Sequence, residues 1–269
     1  MEILRERHYP TVMQAIHLVI LYVFIQSLVD FPLAMIDYYK DTEYLYNPLK
    51  KILLGVGSLG FILWYGYKKS GKTLMEIFPL KRFNPLLILL LIFFFLGIQQ
   101  WLNVVNAGME RVIPPPPWFW EMFDRIFDND FGFLGAFMKV VIVAPVVEEL
   151  IFRGVIMHGL MRNYSAAKAI FYSGLLFALF HMNPWQFPAT FVLGVILGWI
   201  MLKTRNIGLC IAGHAINNLL VLLTITFHKE IEASLPGSLS ILNVLIISSL
   251  LVIGTVAGMV LVTRKRNIG

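Results

Sequence analysis

Along this chain the apolar residues come in long unbroken runs, not in the stripes of a water-facing helix or the alternation of a strand. A helix that crosses a bilayer needs about 20 mostly apolar residues. On that criterion the sequence predicts spans near 11–33, 50–67, 84–105, 131–161, 165–182, 186–203, 207–227 and 239–263. The second is short, and the fourth is too long to be one simple helix. Between the third and fourth lies PPPPWFWEMFDRIFDNDFG, residues 114–132. Its four prolines end any helix, and Trp118 and Trp120 suit a headgroup layer, so an interfacial segment is expected there. No internal repeat is evident. The expected fold is all-α, a polytopic transmembrane helical bundle of about eight spans. It reads as a single membrane domain over 1–269, with a motif-bearing core at about 131–227.

Composition agrees with the pattern. Hydrophobic residues make up 58% of the 269, and charged residues only 14%, against about 25% in a soluble domain. The net charge of +6 does not point to nucleic acid, because no basic helix or aromatic platform accompanies it. Basic residues of membrane proteins gather in cytoplasmic loops. Assigning loops alternately to two sides puts fifteen of the 22 Lys and Arg residues on one side and six on the other, with Lys139 inside the fourth span. Both termini are then expected in the cytoplasm. The charged N-terminus lacks a small-residue cleavage site, so the first span reads as a retained anchor. The single cysteine, Cys210, forms no intrachain disulfide and reads as a packing residue. Gly194 with Gly198, and Gly254 with Gly258, have the GxxxG spacing that lets helices approach closely.

Candidate chemistry comes from polar residues inside these runs. PVVEELIFRG, residues 145–154, places Glu148, Glu149 and Arg153 in the fourth span. Each such residue costs roughly 2.5–3.5 kcal/mol at the bilayer centre. Glu149 and Arg153, four apart, share a helical face and can neutralise each other. Glu148 points about 100° away and is the carboxylate left over. The fifth span ends with Phe177 and His181, four apart. The seventh carries His214 and Asn218, also four apart, with Asn217 beside them. If the fourth and fifth spans turn near residues 163–165, Glu148 and His181 both lie roughly 22–26 Å from that turn. They then share one level on antiparallel neighbours, close enough to share a water.

A carboxylate and an imidazole can hold and deprotonate water. A second imidazole and a carboxamide can donate to the oxyanion of peptide hydrolysis. A zinc ion held by Glu148, His181 and His214 is the alternative, although no HExxH helix is present. A transporter or proton relay, or a non-catalytic scaffold or immunity protein, are further alternatives.

The three motifs in order, EELIFR at 148–153, Phe177 to His181, and His214 to Asn218, resemble the EExxxR, FxxxH and HxxxN motifs of the CPBP family of CAAX proteases and bacteriocin-processing enzymes. The resemblance covers roughly residues 140–220. It implies an intramembrane endopeptidase in which Glu148 and His181 activate water, His214 and Asn218 form the oxyanion site, and Glu149 and Arg153 support the first motif. The family has also been described as metalloproteases. Implied partners are membrane lipid and a peptide or lipidated protein substrate, such as a prenylated CAAX C-terminus or a bacterial peptide precursor. A prokaryotic plasma membrane is the expected location. Two expectations pull apart here. A CAAX-type enzyme opens to the cytoplasm, whereas the charge count and the depth of Glu148 put the site nearer the other face.

Overall fold

The computed structural model describes residues 8–42, 44–45, 47–121, 132–227 and 240–264. Among the described residues the secondary structure is helical, with no strand. Helix α1 (Val12–Lys40) starts at a capping box in which Thr11 accepts from the Gln14 amide while the Gln14 side chain accepts from the Thr11 amide. Those reciprocal bonds satisfy backbone donors that a helix start leaves unpaired. Helix α2 (Pro48–Ser70) returns beside it, and the single turn α3 (Leu74–Ile77) leads into α4 (Leu86–Val112). Helix α5 covers 132–163, then come α6 (Ala166–Phe180), α7 (Phe187–Thr204), α8 (Ile207–Thr226) and α9 (Ile241–Arg264).

Each segment expected to span is therefore helical. By length and composition five are fit to cross a membrane, namely α1, α4, α7, α8 and α9. Helix α2 runs longer than its apolar run suggested, at 23 residues with lysines near both ends, and α6 has only 15 residues. The interfacial segment expected at 114–132 falls largely outside the described residues. Its described part includes a short helix at 117–121.

Helix α5 is not one regular helix. Two π-helical stretches, Phe137–Val143 and Leu150–Ile156, flank a short α-helical piece, Ala144–Glu149, before the α-helical end Met157–Asn163. π-Helical turns are rare and concentrate at functional sites, because widening the helix re-aims the side chains around it. Helix α5 touches α2, α6, α7 and α8. Phe152 and Phe177 pack edge to face at 5.2 Å in a core that also takes in Phe95, Leu197 and Cys210.

Close helix approach depends on three of the four GxxxG glycines. A Cβ on Gly194 would sit 2.7 Å from the Gly174 Cα, and one on Gly258 would sit 3.0 Å from Leu90. One on Gly198 would sit 3.3 Å from Ile170, again tighter than ordinary contact. Gly254 has open space around it, so the second glycine pair is a contact at one position only, contrary to its spacing.

Candidate active site

The polar residues of the three motifs meet where α5, α6 and α8 converge. Glu149 is wholly buried, as is Arg153 four residues on. The Arg153 Nη1 donates to Glu149 Oε1 at 2.7 Å, and Nη2 donates to the Gly194 carbonyl at 3.0 Å. The guanidinium carbon lies 4.6 Å from the centre of the Phe177 ring, a cation–π contact that is strongest away from water. The close Gly194–Gly174 contact brings the α7 backbone within reach of Arg153. The pairing expected from the four-residue spacing is present.

Glu149 has a second partner that spacing did not reveal. The same Oε1 accepts from His214 Nδ1 at 2.9 Å. One carboxylate oxygen thus joins α5 to α8 and orients an imidazole. A carboxylate accepts only, so His214 Nδ1 carries the proton and Nε2 is turned the other way. His181 is fixed likewise. It closes α6 as its C-cap, and its Nδ1 donates to the Phe177 carbonyl at 2.8 Å. Phe177 sits against both imidazoles, edge to face, with ring centres at 4.9 Å from His181 and 5.6 Å from His214.

Both Nε2 atoms converge on Glu148. Its Oε2 lies 3.8 Å from His181 Nε2 and 3.8 Å from His214 Nε2. That oxygen is buried and makes no hydrogen bond within the protein. A separation of 3.8 Å is too long for a direct hydrogen bond and suits a shared water donating to one group while bonding the other. Glu148, His181 and His214 are thus brought together, and the closeness of Glu148 to His181 agrees with the depth estimate made for those two.

Asn218 is placed differently. Its amide nitrogen donates to the Val140 carbonyl at 2.9 Å, and its Oδ1 accepts from Asn217 Nδ2 at 3.1 Å. The reason lies in α5. In the first π-helical stretch Lys139 O accepts from the Ala144 amide. The next bond in that register would run from residue 145 to Val140, but Pro145 has no N–H to give. Asn218 supplies the missing donor. One N–H remains on its amide, one helical turn beyond His214. Asn217 is buried and its Oδ1 has no partner within the protein.

The same trio was the alternative zinc set. Two imidazoles and a carboxylate suit zinc chemically. Among the described residues, however, no group of three His, Cys, Asp or Glu side chains is arranged to hold a metal ion.

Ser173 was missed by sequence reading. Its hydroxyl donates to the Phe152 carbonyl at 3.1 Å, in the second π-helical stretch. A serine inside an apolar helix carries no signal that it braces a neighbouring helix.

Residues 130–220 match the family model described as type II CAAX prenyl endopeptidase Rce1-like. The match runs from α5 through most of α8 and contains every residue of the three motifs, in agreement with the resemblance those motifs carry. No curated protein and no solved structure matches the chain. The apolar helices and the matched family fit an integral membrane protein.

Proposed function

We propose that this chain, whose core is similar to the Rce1-like CAAX prenyl endopeptidases, is an intramembrane endopeptidase that cleaves a peptide bond by a Glu148- and His181-activated water. The observation that carries the proposal is the meeting of the Glu148 carboxylate with two imidazoles at 3.8 Å each, on three helices. A scaffold needing only a buried ion pair is complete with Glu149 and Arg153.

Glu148 takes a proton from the water as its oxygen attacks the scissile carbonyl carbon, and His181 orients that water through Nε2. The carbonyl π electrons move to oxygen, where charge develops. His214 donates to that oxygen from Nε2. It also donates from Nδ1 to Glu149, so in this role the ring carries both protons, and Glu149 supplies the counter-charge. The free N–H of Asn218 is the second donor. The C–N bond then breaks, and Glu148 passes its proton to the leaving amine. The paired charges of Glu148, Glu149, Arg153 and His214 sum to zero, as a cluster inside a bilayer requires.

Purified protein incubated with a fluorogenic peptide library, with and without a chelator, tests the reading. Chelator-resistant cleavage that disappears in Glu148→Gln supports it. Cleavage lost to chelator and restored by zinc supports the metal-dependent alternative. Ion flux in proteoliposomes that depends on Glu148, without cleavage, supports a transporter.

A further inference from the structure

We infer that the site is entered from the end of the bundle that faces out of the cell, so that its substrate is a peptide segment presented on the non-cytoplasmic surface and not a cytosolic C-terminus. This inference rests on the peptidase reading above and adds the direction of access.

The first support is the distribution of charge over the folded bundle. Packing gathers the C-terminal end of α2, α3, the 78–85 link, the α5–α6 turn and the α7–α8 turn at one end. There the Ile207 amide donates to Pro79 O, the Asn206 side chain donates to Lys81 O, and Asn163 bonds His8 and Pro10. Those segments carry Lys68, Lys69, Lys81, Arg82, Lys203 and Arg205 among other bases, and Glu76 is their one acid among the described residues. At the opposite end, around residues 37–51, 108–121 and 181–187, the described residues include Asp37, Asp41, Glu110 and Glu121 against Lys40, Lys50, Lys51 and Arg111, so acids and bases balance there. Basic residues flanking spans are retained in the cytoplasm, so the first end is the inner one.

The second support is the direction in which the site is sealed. From Glu149 towards the basic end, α5 is a plug, and residues 151–157 are all buried. Among the described residues, none of that stretch of α5 reaches the surface. In the other direction the site loosens. The His181 side chain keeps 26% of its surface and Glu148 keeps 12%. His181 is the last position of α6. Met182 follows in a left-handed conformation and is 73% exposed, at the turn of the end opposite the basic one.

The third support is what frames that turn. Trp185 Nε1 donates to the Ile113 carbonyl at 2.7 Å, and its ring lies 4.4 Å from Phe119 and 6.1 Å from Trp118. Such aromatic side chains collect at headgroup level. Four residues from His181 they offer an apolar rim with a few backbone groups, which suits an extended peptide lying along the membrane surface.

The direction is tested by thiol labelling in intact bacterial cells with a membrane-impermeant maleimide. The native Cys210 is wholly buried and stays silent. Met182→Cys, with Trp118→Cys as a second reporter should the first fail to fold, is expected to label at least tenfold more than Lys69→Cys. Lys69→Cys is expected to label only after permeabilisation. The reverse pattern overturns the inference. Cleavage of the peptide library is then compared in detergent, in right-side-out vesicles and in inside-out vesicles. Activity in detergent and in right-side-out vesicles is expected. Activity in detergent and in inside-out vesicles alone overturns the direction but leaves the peptidase reading intact. No cleavage in detergent overturns the peptidase reading itself, and the labelling result still reports the topology.

Discussion

Two adjacent glutamates divide α5 into regions with opposite character. On the Glu149 side the bonds gather on one oxygen, Oε1, which takes both partners, while Oε2 and the Arg153 Nε make none within the protein. The carboxylate holds Arg153 and His214, Arg153 reaches the α7 backbone, and the next turns are sealed by apolar side chains. On the Glu148 side, an oxygen stands within 3.8 Å of two imidazoles and bonds neither. A membrane interior penalises an unpaired charge, so the Glu149–Arg153 ion pair is what structural stability demands. The second region is what stability alone does not explain. Buried polar groups left unpaired in a native fold mark the place to look for chemistry.

Substitutions sharpen that division. The largest effect is expected at Glu148→Gln. Cleavage should fall by about 10²–10⁴-fold, the share that positioned general bases carry, with thermal stability in detergent unchanged or raised. A large loss of stability instead would move Glu148 to the structural side. Arg153→Met should do the reverse. It leaves the Glu149 charge buried without its main partner, at a cost of about 3–5 kcal/mol, read as a lower unfolding midpoint and reduced membrane yield.

His214→Gln is expected to lower kcat by about 10²–10³-fold with a smaller change in KM, as for loss of an oxyanion donor. A change confined to KM would argue against that role. Asn218 tests the division more finely, because it serves both sides. Asn218→Ala should cost about 1–3 kcal/mol through the orphaned Val140 carbonyl. Adding Pro145→Ala restores a backbone N–H, so the double variant should recover stability while cleavage stays low. Recovery of both would make Asn218 purely structural. The smallest effects separate two glycines of like spacing. Gly194→Ala forces a methyl against Gly174 and should destabilise by about 1–3 kcal/mol, whereas Gly254→Ala should stay within about 0.5 kcal/mol.

Much of this could be read in advance, and for identifiable reasons. The i to i+4 step pairs Glu149 with Arg153 on any helix, so that bond was legible from spacing. Counting residues from the 163–165 turn put Glu148 level with His181 before any helix was placed. The π-helical stretches were not legible. They arise where Pro145 and packing against α6 and α8 outweigh the regular hydrogen-bond register, and no periodicity in an all-apolar stretch announces them. The Glu149–His214 bond was hidden for the same reason. The two residues are 65 positions apart, and their meeting depends on which helices become neighbours.

The sequence by itself determined the solvent, the helices and the residue types at the site. Runs of apolar residues long enough for a bilayer leave the backbone only its own hydrogen bonds to form, and ionisable groups inside such runs stand out against a uniform background. Tertiary structure alone decided which carboxylate is paired with a cation, which carbonyl Asn218 must satisfy, and which end of the bundle is sealed. Those outcomes depend on distances of a few ångströms between helices, which are set by small residues such as Gly174 and Gly194 and leave no periodic trace along the chain.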